Sequence, residues 1–208
     1  MYNNWRDIHG GIIKDFLLEL NNMSKNYILK GDTSLMMCYG LDRFSEDIDL
    51  DAFNTKAGIK KFVDNFCNSY GYTYRVAKNT DTVKRYMIHY GGDKPLKVEI
   101  SYRRKNISEN EITIINNIIV YNVCNILIFK LNAYNRRDKI RDVYDVTFIC
   151  RNYWKIIPDV LKIQVQDALS FKGLEYFDMI IKEQSDELID KNKLASDFLE
   201  LYNLLGLM

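Results

Sequence analysis

The sequence predicts an α+β fold: a small mixed β-sheet flanked by helices, followed by a C-terminal helical bundle. Three observations carry this. Between residues 27 and 121, short runs alternate apolar with polar side chains and are separated by Gly, Asn, Asp or Pro, the period-two signature of strands bounded by turns. Two stretches on that side of the chain, around residues 8–20 and 59–66, instead repeat apolar residues every three to four positions, the period of a helix. From residue 123 onward the strand pattern stops and only helical spacing remains. The boundary is placed at 122, giving domains 1–122 and 123–208.

Taken in order, Ile8, Ile12, Ile13, Phe16, Leu17 and Leu20 form one helical stripe, weakened at its start by Gly10 and Gly11 and ended by Asn21 and Asn22. Tyr27 to Lys30 is a short strand closed by Gly31. Thr33 or Ser34 is expected to cap a short helix, Leu35 to Cys38. Asp47 to Phe53 alternates acids with Ile48, Leu50 and Ala52, a strand pattern, and Ile59, Phe62, Val63 and Phe66 then mark a helix. Strands are expected at Tyr72–Ala77, Val83–Tyr90 and Leu96–Tyr102, with Gly91, Gly92, Asp93 and Pro95 turning the chain between the last two, and Ile112–Tyr121 reads as one more strand. In the second half, helices are expected at Ile126–Tyr134, Arg141–Tyr153, from Pro158 at a first helical position, and at Leu188–Leu205.

With 208 residues, 47% of them hydrophobic and 27% charged, the chain has the composition of an ordinary globular protein and buries a core without covalent staples. The four cysteines are widely spaced, none forms a CxxC pair, and neither His9 nor His89 lies at ligand spacing from one. Zinc sites and disulfide frameworks are therefore not expected. Trp5, Arg6 and Asp7 stand where a secretory signal needs an apolar run, and the most apolar stretch, Ile112 to Leu131, is interrupted by Asn116, Asn117, Asn122 and Asn125. No membrane partner and a cytoplasmic location are expected. The net charge of +1 names no partner, but its distribution is uneven. Asp42, Glu46, Asp47, Asp49 and Asp51 crowd one stretch, while Lys130, Arg136, Arg137, Lys139 and Arg141 crowd another. Acids in a cluster suit hard cations, and bases in a cluster suit phosphates. The plainer alternative is two solvated faces of opposite sign.

The sharpest feature is Ser45-Glu46-Asp47-Ile48-Asp49-Leu50. On a strand, residues two apart share a face, so Asp47 and Asp49 project together while Ile48 and Leu50 turn to the core. Adjacent carboxylates repel unless a cation neutralises them. Mg²⁺ commonly sits between such carboxylates and substrate phosphates. An exposed strand face produces the same tripeptide with no function, so the weight falls on its context. Leu29-Lys30-Gly31-Asp32-Thr33-Ser34 is a strand, a glycine turn and a helix start, an arrangement that presents backbone N–H groups and hydroxyls to a phosphate. It has no Gly-Lys-Ser/Thr and is not a Walker loop.

A glycine turn followed by a short helix and Arg-Phe-Ser-Glu-Asp-Ile-Asp-Leu resembles the AbiEii/AbiGii toxin-type nucleotidyltransferases of the DNA polymerase beta-like superfamily. A second stretch fits the same resemblance: Lys130-Leu131-Asn132-Ala133, then Arg136, then Arg141-Asp142-Val143-Tyr144-Asp145, against a family pattern Lys-Leu-x-Ala, Arg, Arg-Asp-x-x-Asp. The two motifs occur in the family's order and span roughly residues 28 to 146. The resemblance implies a nucleotidyltransferase domain over 1–122 and a third acid on a later strand, for which Glu99 in Lys97-Val98-Glu99-Ile100-Ser101 is the candidate. The plainer reading of Glu99 is a strand carboxylate paired with Lys97 or Arg103. The family turn carries a small neutral residue where this chain has Asp32, and an acid there repels a triphosphate if it faces the pocket.

The implied reaction moves a nucleoside monophosphate from a nucleoside triphosphate to an acceptor hydroxyl. Catalytic and metal-binding roles fall to Asp47, Asp49 and Glu99 with Mg²⁺ or Mn²⁺. Nucleotide binding falls to Gly31, Thr33, Ser34, Lys130, Arg136 and Arg141, and an orienting or catalytic role to Asp142 and Asp145. The plainer reading of the last two is an intrahelical ion-pair network, Asp138 with Arg141 or Asp142. The family further implies a toxin of a toxin–antitoxin or phage-defence pair, with a cognate antitoxin as partner and RNA, such as a tRNA, as acceptor. Two alternatives stand beside this: transfer to a small hydroxylated molecule such as an antibiotic, and a non-catalytic nucleotide-binding module. Outside the motifs, His89 reads as a hydrogen-bonded structural histidine, Arg103 to Lys105 as a solvated loop, and Tyr102, Tyr121 and Tyr134 as packing residues that are also able to stack a base.

Overall fold

A computed structural model describes residues 5–53 and 58–208. It divides into two compact units, 1–122 and 123–208.

The first unit is a seven-stranded sheet with three helices. Helix α1 (Trp5–Met23) buries the stripe Ile12, Ile13, Phe16, Leu17 and Leu20. Its buried Asn21 bridges two strands, donating from Nδ2 to the Tyr27 carbonyl (3.2 Å) and accepting at Oδ1 from the Ile119 N–H (2.8 Å). Strand β1 (Tyr27–Lys30) runs directly into α2 (Gly31–Tyr39). This differs from the expected cap: the helix begins at Gly31, its N-cap is Lys30, and no side chain caps it. Thr33 and Ser34 lie inside the first turn, because Gly31, at φ 75°, takes up the sharp change of direction within one residue. Strand β2 (Asp47–Ala52), α3 (Ile59–Tyr70), and strands β3 (Thr73–Asn79), β4 (Val83–His89) and β5 (Leu96–Ser101) follow.

The expected single strand over Ile112–Tyr121 is two, β6 (Ile112–Ile115) and β7 (Ile118–Tyr121), paired antiparallel. Asn116 and Asn117 sit between them at φ 51° and 63°. Two consecutive positive φ angles make the tight hairpin turn whose twist suits paired strands, and Asn is among the residues that tolerate it.

The sheet order is β3-β4-β5-β2-β1-β7-β6. It is mixed: β2 is antiparallel to β1 and parallel to β5, and β1 is parallel to β7. One face is the core, carrying Ile48, Leu50, Ile88, Val98 and Ile100, all essentially inaccessible. Tyr74, in register with Ile88, donates to Asp64 of α3 (2.5 Å), and Phe16 of α1 meets Phe62 and Phe66 of α3 edge to face at 5.1 Å. The other face carries the charged residues of β2 and β5.

The second unit is all helical: α4 (Val123–Arg136), α5 (Ile140–Tyr153), α6 (Asp159–Glu183) and α7 (Lys191–Leu204). Pro158 is the N-cap of α6 rather than its first residue. Helix α6 is broken at Gly173 (φ 71°, ψ 176°), and Asp190 caps α7 by accepting from the N–H groups of Asn192 and Lys193. Phe177 of α6 and Phe198 of α7 stack with centroids 4.0 Å apart. Among the described residues no helix is long and apolar enough to cross a membrane.

Candidate active site

Strand β2 alternates as its sequence requires, with Ile48 and Leu50 buried and Asp47 and Asp49 half-buried on the opposite face. Its parallel neighbour β5 is held so that Asp47 lies opposite Lys97 and Asp49 opposite Glu99. Next to β5, Arg85 of β4 lies opposite Glu99. On the far side Lys30 of β1 lies opposite Asp49. Four strands thus align Lys30, Asp49, Glu99 and Arg85 in one row across one face, with two central acids flanked by two bases.

Most carboxylates on this face are spoken for. Asp47 takes an ion pair from Lys97. Glu99 accepts from Arg85 through Nε (2.7 Å) and a terminal nitrogen (2.5 Å). Asp51, one step further along β2 and buried, is held by Lys30 (2.5 Å) and by the Tyr121 hydroxyl (2.9 Å). Asp49 differs: among the described residues no hydrogen bond or ion pair reaches its side chain. Burial raises its pKa above the usual carboxylate range. Lys97 opposes that shift, Asp47 and Glu99 add to it, and Lys30 opposes it. For Lys97, burial works against the charge, but the hydrogen bond to Asp47 and the charges of Asp47, Asp49 and Glu99 outweigh it and hold the ammonium form.

The glycine turn lies against this acid. A Cβ built on Gly31 would stand 3.3 Å from Oδ2 of Asp49, so only glycine gives both the positive φ and the close approach. The N-terminus of α2, whose first backbone N–H groups find no partner within the helix, is therefore brought beside Asp49. The Thr33 and Ser34 hydroxyls do not point out of this turn. Thr33 bonds to the Asp47 carbonyl and to the Ser45 hydroxyl (2.7 Å), and Ser34 donates to the Gly31 carbonyl (2.6 Å). Thr33 ties the turn to β2 and Ser34 closes the turn on itself, leaving the backbone N–H groups as the donors that face outward. Asp32 is held by Arg43 (2.8 Å), whose side chain is fully buried. Its charge is thereby balanced within the protein.

A metal fits this face in one particular way. Among the described residues, no three His, Cys, Asp or Glu side chains converge tightly enough to form a ready-made cage. The expected partners of Glu99, Lys97 and Arg103, are replaced by Arg85. What remains is a half-buried carboxylate with no protein partner, its neighbour Asp47, and a helix N-terminus. That donor set suits an ion such as Mg²⁺, which takes one or two carboxylates and completes its shell with water and substrate phosphates.

The second motif sits in the helical unit and is largely closed. Lys130 is buried and paired with the fully buried Asp145 at 2.5 Å. Asp142 is buried and gripped by Arg137 through two bonds of 2.6 and 2.8 Å. Arg141 pairs with Asp186. The expected Asp138–Arg141 or Asp138–Asp142 network is not formed, and Asp138 pairs with Lys172 instead (2.9 Å). Of the bases in this cluster, Arg136 and Lys139 are exposed, and among the described residues neither meets an acid.

Sequence reasoning missed Arg85, gave Lys97 to Glu99 instead of Asp47, and did not pair Arg43 with Asp32, since such partners are set by strand register and chain folding and not by sequence distance. It also misplaced the structural histidine. His89 ends β4 exposed. His9 is the buried one, bonded to the Tyr90 hydroxyl (2.5 Å) and the Glu46 carbonyl (2.7 Å), where it pins the chain just before Asp47. Tyr121 and Tyr134 are buried and not available for stacking a base. Arg104 is bonded to Glu111 (2.6 Å) rather than solvated.

The fold is that of the nucleotidyltransferases. JHP933 from Helicobacter pylori superposes with a TM-score of 0.78 over 99% of this chain and 93% of its own, at 24% identity. MenT4, a nucleotidyltransferase toxin from Mycobacterium tuberculosis, superposes with a TM-score of 0.55 over 94% of this chain and 82% of its own, at 16% identity. The Megavirus polyadenylate synthase matches at 0.50 over 71% of this chain and 31% of its own, at 15% identity. No curated protein matches the sequence. Residues 15–201 match the family described as nucleotidyl transferase AbiEii toxin, type IV TA system, and the chain belongs to that family.

Proposed function

We propose that this chain is a metal-dependent nucleotidyltransferase that moves a nucleoside monophosphate from a nucleoside triphosphate to a hydroxyl of an RNA, such as a tRNA, as the toxin of a toxin–antitoxin or phage-defence pair. The observation that carries the reading is Asp49, a carboxylate left without a protein partner and pressed against Gly31 at the start of α2.

In this reading Asp49 and Asp47 hold Mg²⁺ or Mn²⁺ together with the triphosphate oxygens, and Glu99 is the third catalytic acid. The metal, when bound, neutralises charge on the transferred phosphoryl group. The backbone N–H groups after Gly31 hold the terminal phosphates, aided by the positive end of the helix. Lys97 and Arg85 serve as placeholders. They neutralise Asp47 and Glu99 while no nucleotide is bound, and turn toward phosphate oxygens when it arrives. Arg136 is the cation of the second motif best exposed for phosphate contact. Lys130, Asp142, Asp145 and Arg141 act by shaping the helical unit. A cognate antitoxin and a cytoplasmic site of action accompany the family reading.

Incubation of the purified protein with each labelled nucleoside triphosphate, Mg²⁺ and total tRNA tests this. Label on RNA is expected. Label on a small hydroxylated molecule instead selects the antibiotic-type alternative, and nucleotide binding with no transfer to any acceptor selects the non-catalytic one.

A further inference from the structure

Within the helical unit a groove of about 560 Å³ lies between α4 and α6. Its walls are two helical faces at matching spacing: Ile128, Leu131, Asn132 and Asn135 from α4, and Gln164, Asp167, Ala168 and Phe171 from α6. Positions i, i+3, i+4 and i+7 share one face of a helix, so each wall is continuous. The floor is apolar, from Leu131 and Ala168, while the rim sets the exposed Ile128 and Phe171 beside amides and a carboxylate.

Phe171 is 89% exposed, and the helix breaks two residues later at Gly173. Its ring stands on the groove with an open face, which core packing does not require. Around it, Asn135, Gln164 and Asp167 make no hydrogen bond or ion pair among the described residues, and Asn132 uses only an amide N–H, toward the Ile128 carbonyl (2.9 Å). Arg136 follows Asn132 by four residues and rises on the same side of α4, exposed and, among the described residues, without an acidic partner.

An exposed aromatic ring beside amide and carboxylate edges, with a cation at one end, matches the chemistry of an unpaired nucleotide. The base stacks on the ring, its edge meets the amides, and its phosphate meets the guanidinium. A helical peptide is a poorer match, because Asn132, Asn135, Gln164 and Asp167 interrupt the apolar lining where such a helix would lay its apolar face. We infer that this groove is a subsite for one unpaired base of a single-stranded RNA, with Phe171 as the stacking platform, Asp167 accepting from an amino group of the base and Arg136 on the adjoining phosphate. The inference rests on the RNA-acceptor reading above and gives that RNA a seat outside the carboxylate face.

The test is equilibrium binding of fluorescently labelled eight-nucleotide RNAs, oligo(A), oligo(C) and oligo(U), to the full chain without nucleoside triphosphate. Phe171→Ala should weaken binding about tenfold or more, Phe171→Trp should restore it, and Phe171→Leu should behave as the alanine variant. Arg136→Gln should lower the slope of log affinity against log salt by about one. Oligo(A) and oligo(C) should bind more tightly than oligo(U), whose base lacks an exocyclic amino group, and Asp167→Ala should remove that preference. Melting curves check that each variant is folded. Unchanged affinity in Phe171→Ala, or wild-type affinity in Phe171→Leu, overturns the stacking subsite while leaving RNA as the acceptor. The absence of any oligonucleotide binding by the wild type overturns this inference, while the acceptor reading falls only if the labelled nucleotide is not transferred to RNA.

Discussion

The carboxylate face of the sheet and the buried charges of the helical unit use the same residue types in opposite ways. In the helical unit Lys130 and Asp145 are both buried and meet directly, and Asp142 is clasped by two nitrogens of Arg137. Such pairs are closed. Opening one strands a charge in a low-dielectric interior, so they hold the protein together and have little to offer a ligand. On the sheet, three acids have basic partners and the fourth, Asp49, has none among the described residues, although burial and two neighbouring carboxylates press it toward its neutral form. A group left in that condition costs stability, and an arriving cation removes the cost. The charged motifs of this chain are thus of two kinds, and counting charges does not tell them apart.

The largest effect should come from breaking the closed kind. Lys130→Ala leaves Asp145 buried without its cation and should destabilise the protein by about 3–5 kcal/mol, seen as a large drop in the chemical-denaturation midpoint. Its effect on activity should follow the unfolded fraction. If Lys130→Ala melts like the wild type while nucleotide affinity falls, Lys130 is a phosphate ligand and the contrast between the two regions fails.

Asp49→Asn should do the reverse. Turnover should fall by more than about 100-fold, the upper end of what losing a mere supporting residue around a metal costs, while the melting temperature of the nucleotide-free protein rises. Full activity in this variant would remove the metal site. Mg²⁺ with nucleotide should raise the melting temperature of the wild type and not of the variant.

Asp32→Gly removes the anionic partner of the buried Arg43 guanidinium. A loss of about 1–3 kcal/mol is expected, with nucleotide affinity unchanged or weaker. Tighter nucleotide binding at an unchanged melting temperature would mean that Asp32 faces the phosphates after all.

The smallest effect is one of pH. The folded-state pKa of Asp49 is raised, so the native state holds this proton more tightly than the unfolded chain. The associated stability is present in acid and is lost as pH rises through the folded value. The stability gap between Asp49→Asn and the wild type should therefore be narrow near pH 4 and wider at pH 7. A gap that does not widen across that range would show that Asp49 carries no burial penalty.

Periodicity and spacing alone determined much of this. The strand read at Asp47–Phe53 and found at Asp47–Ala52, with Asp47 and Asp49 on one face, the glycine turn before it and the helices after residue 123 are all local patterns. Alternation and helical spacing need only a few neighbouring residues to be read. Tertiary structure alone decided which charges are free. Asp47 meets Lys97 and Glu99 meets Arg85 because β5 lies parallel to β2 and antiparallel to β4, pairings that a shift of one residue would abolish. Asp32 is balanced by Arg43, eleven residues away, only because the α2 turn folds back on the segment before β2. Lys130 is hidden because α4 and α5 pack with their motif residues inward. Burial and cross-strand register are properties of the assembled fold, and they separate the one sheet carboxylate that no side chain among the described residues pairs from the charges that bind the structure together.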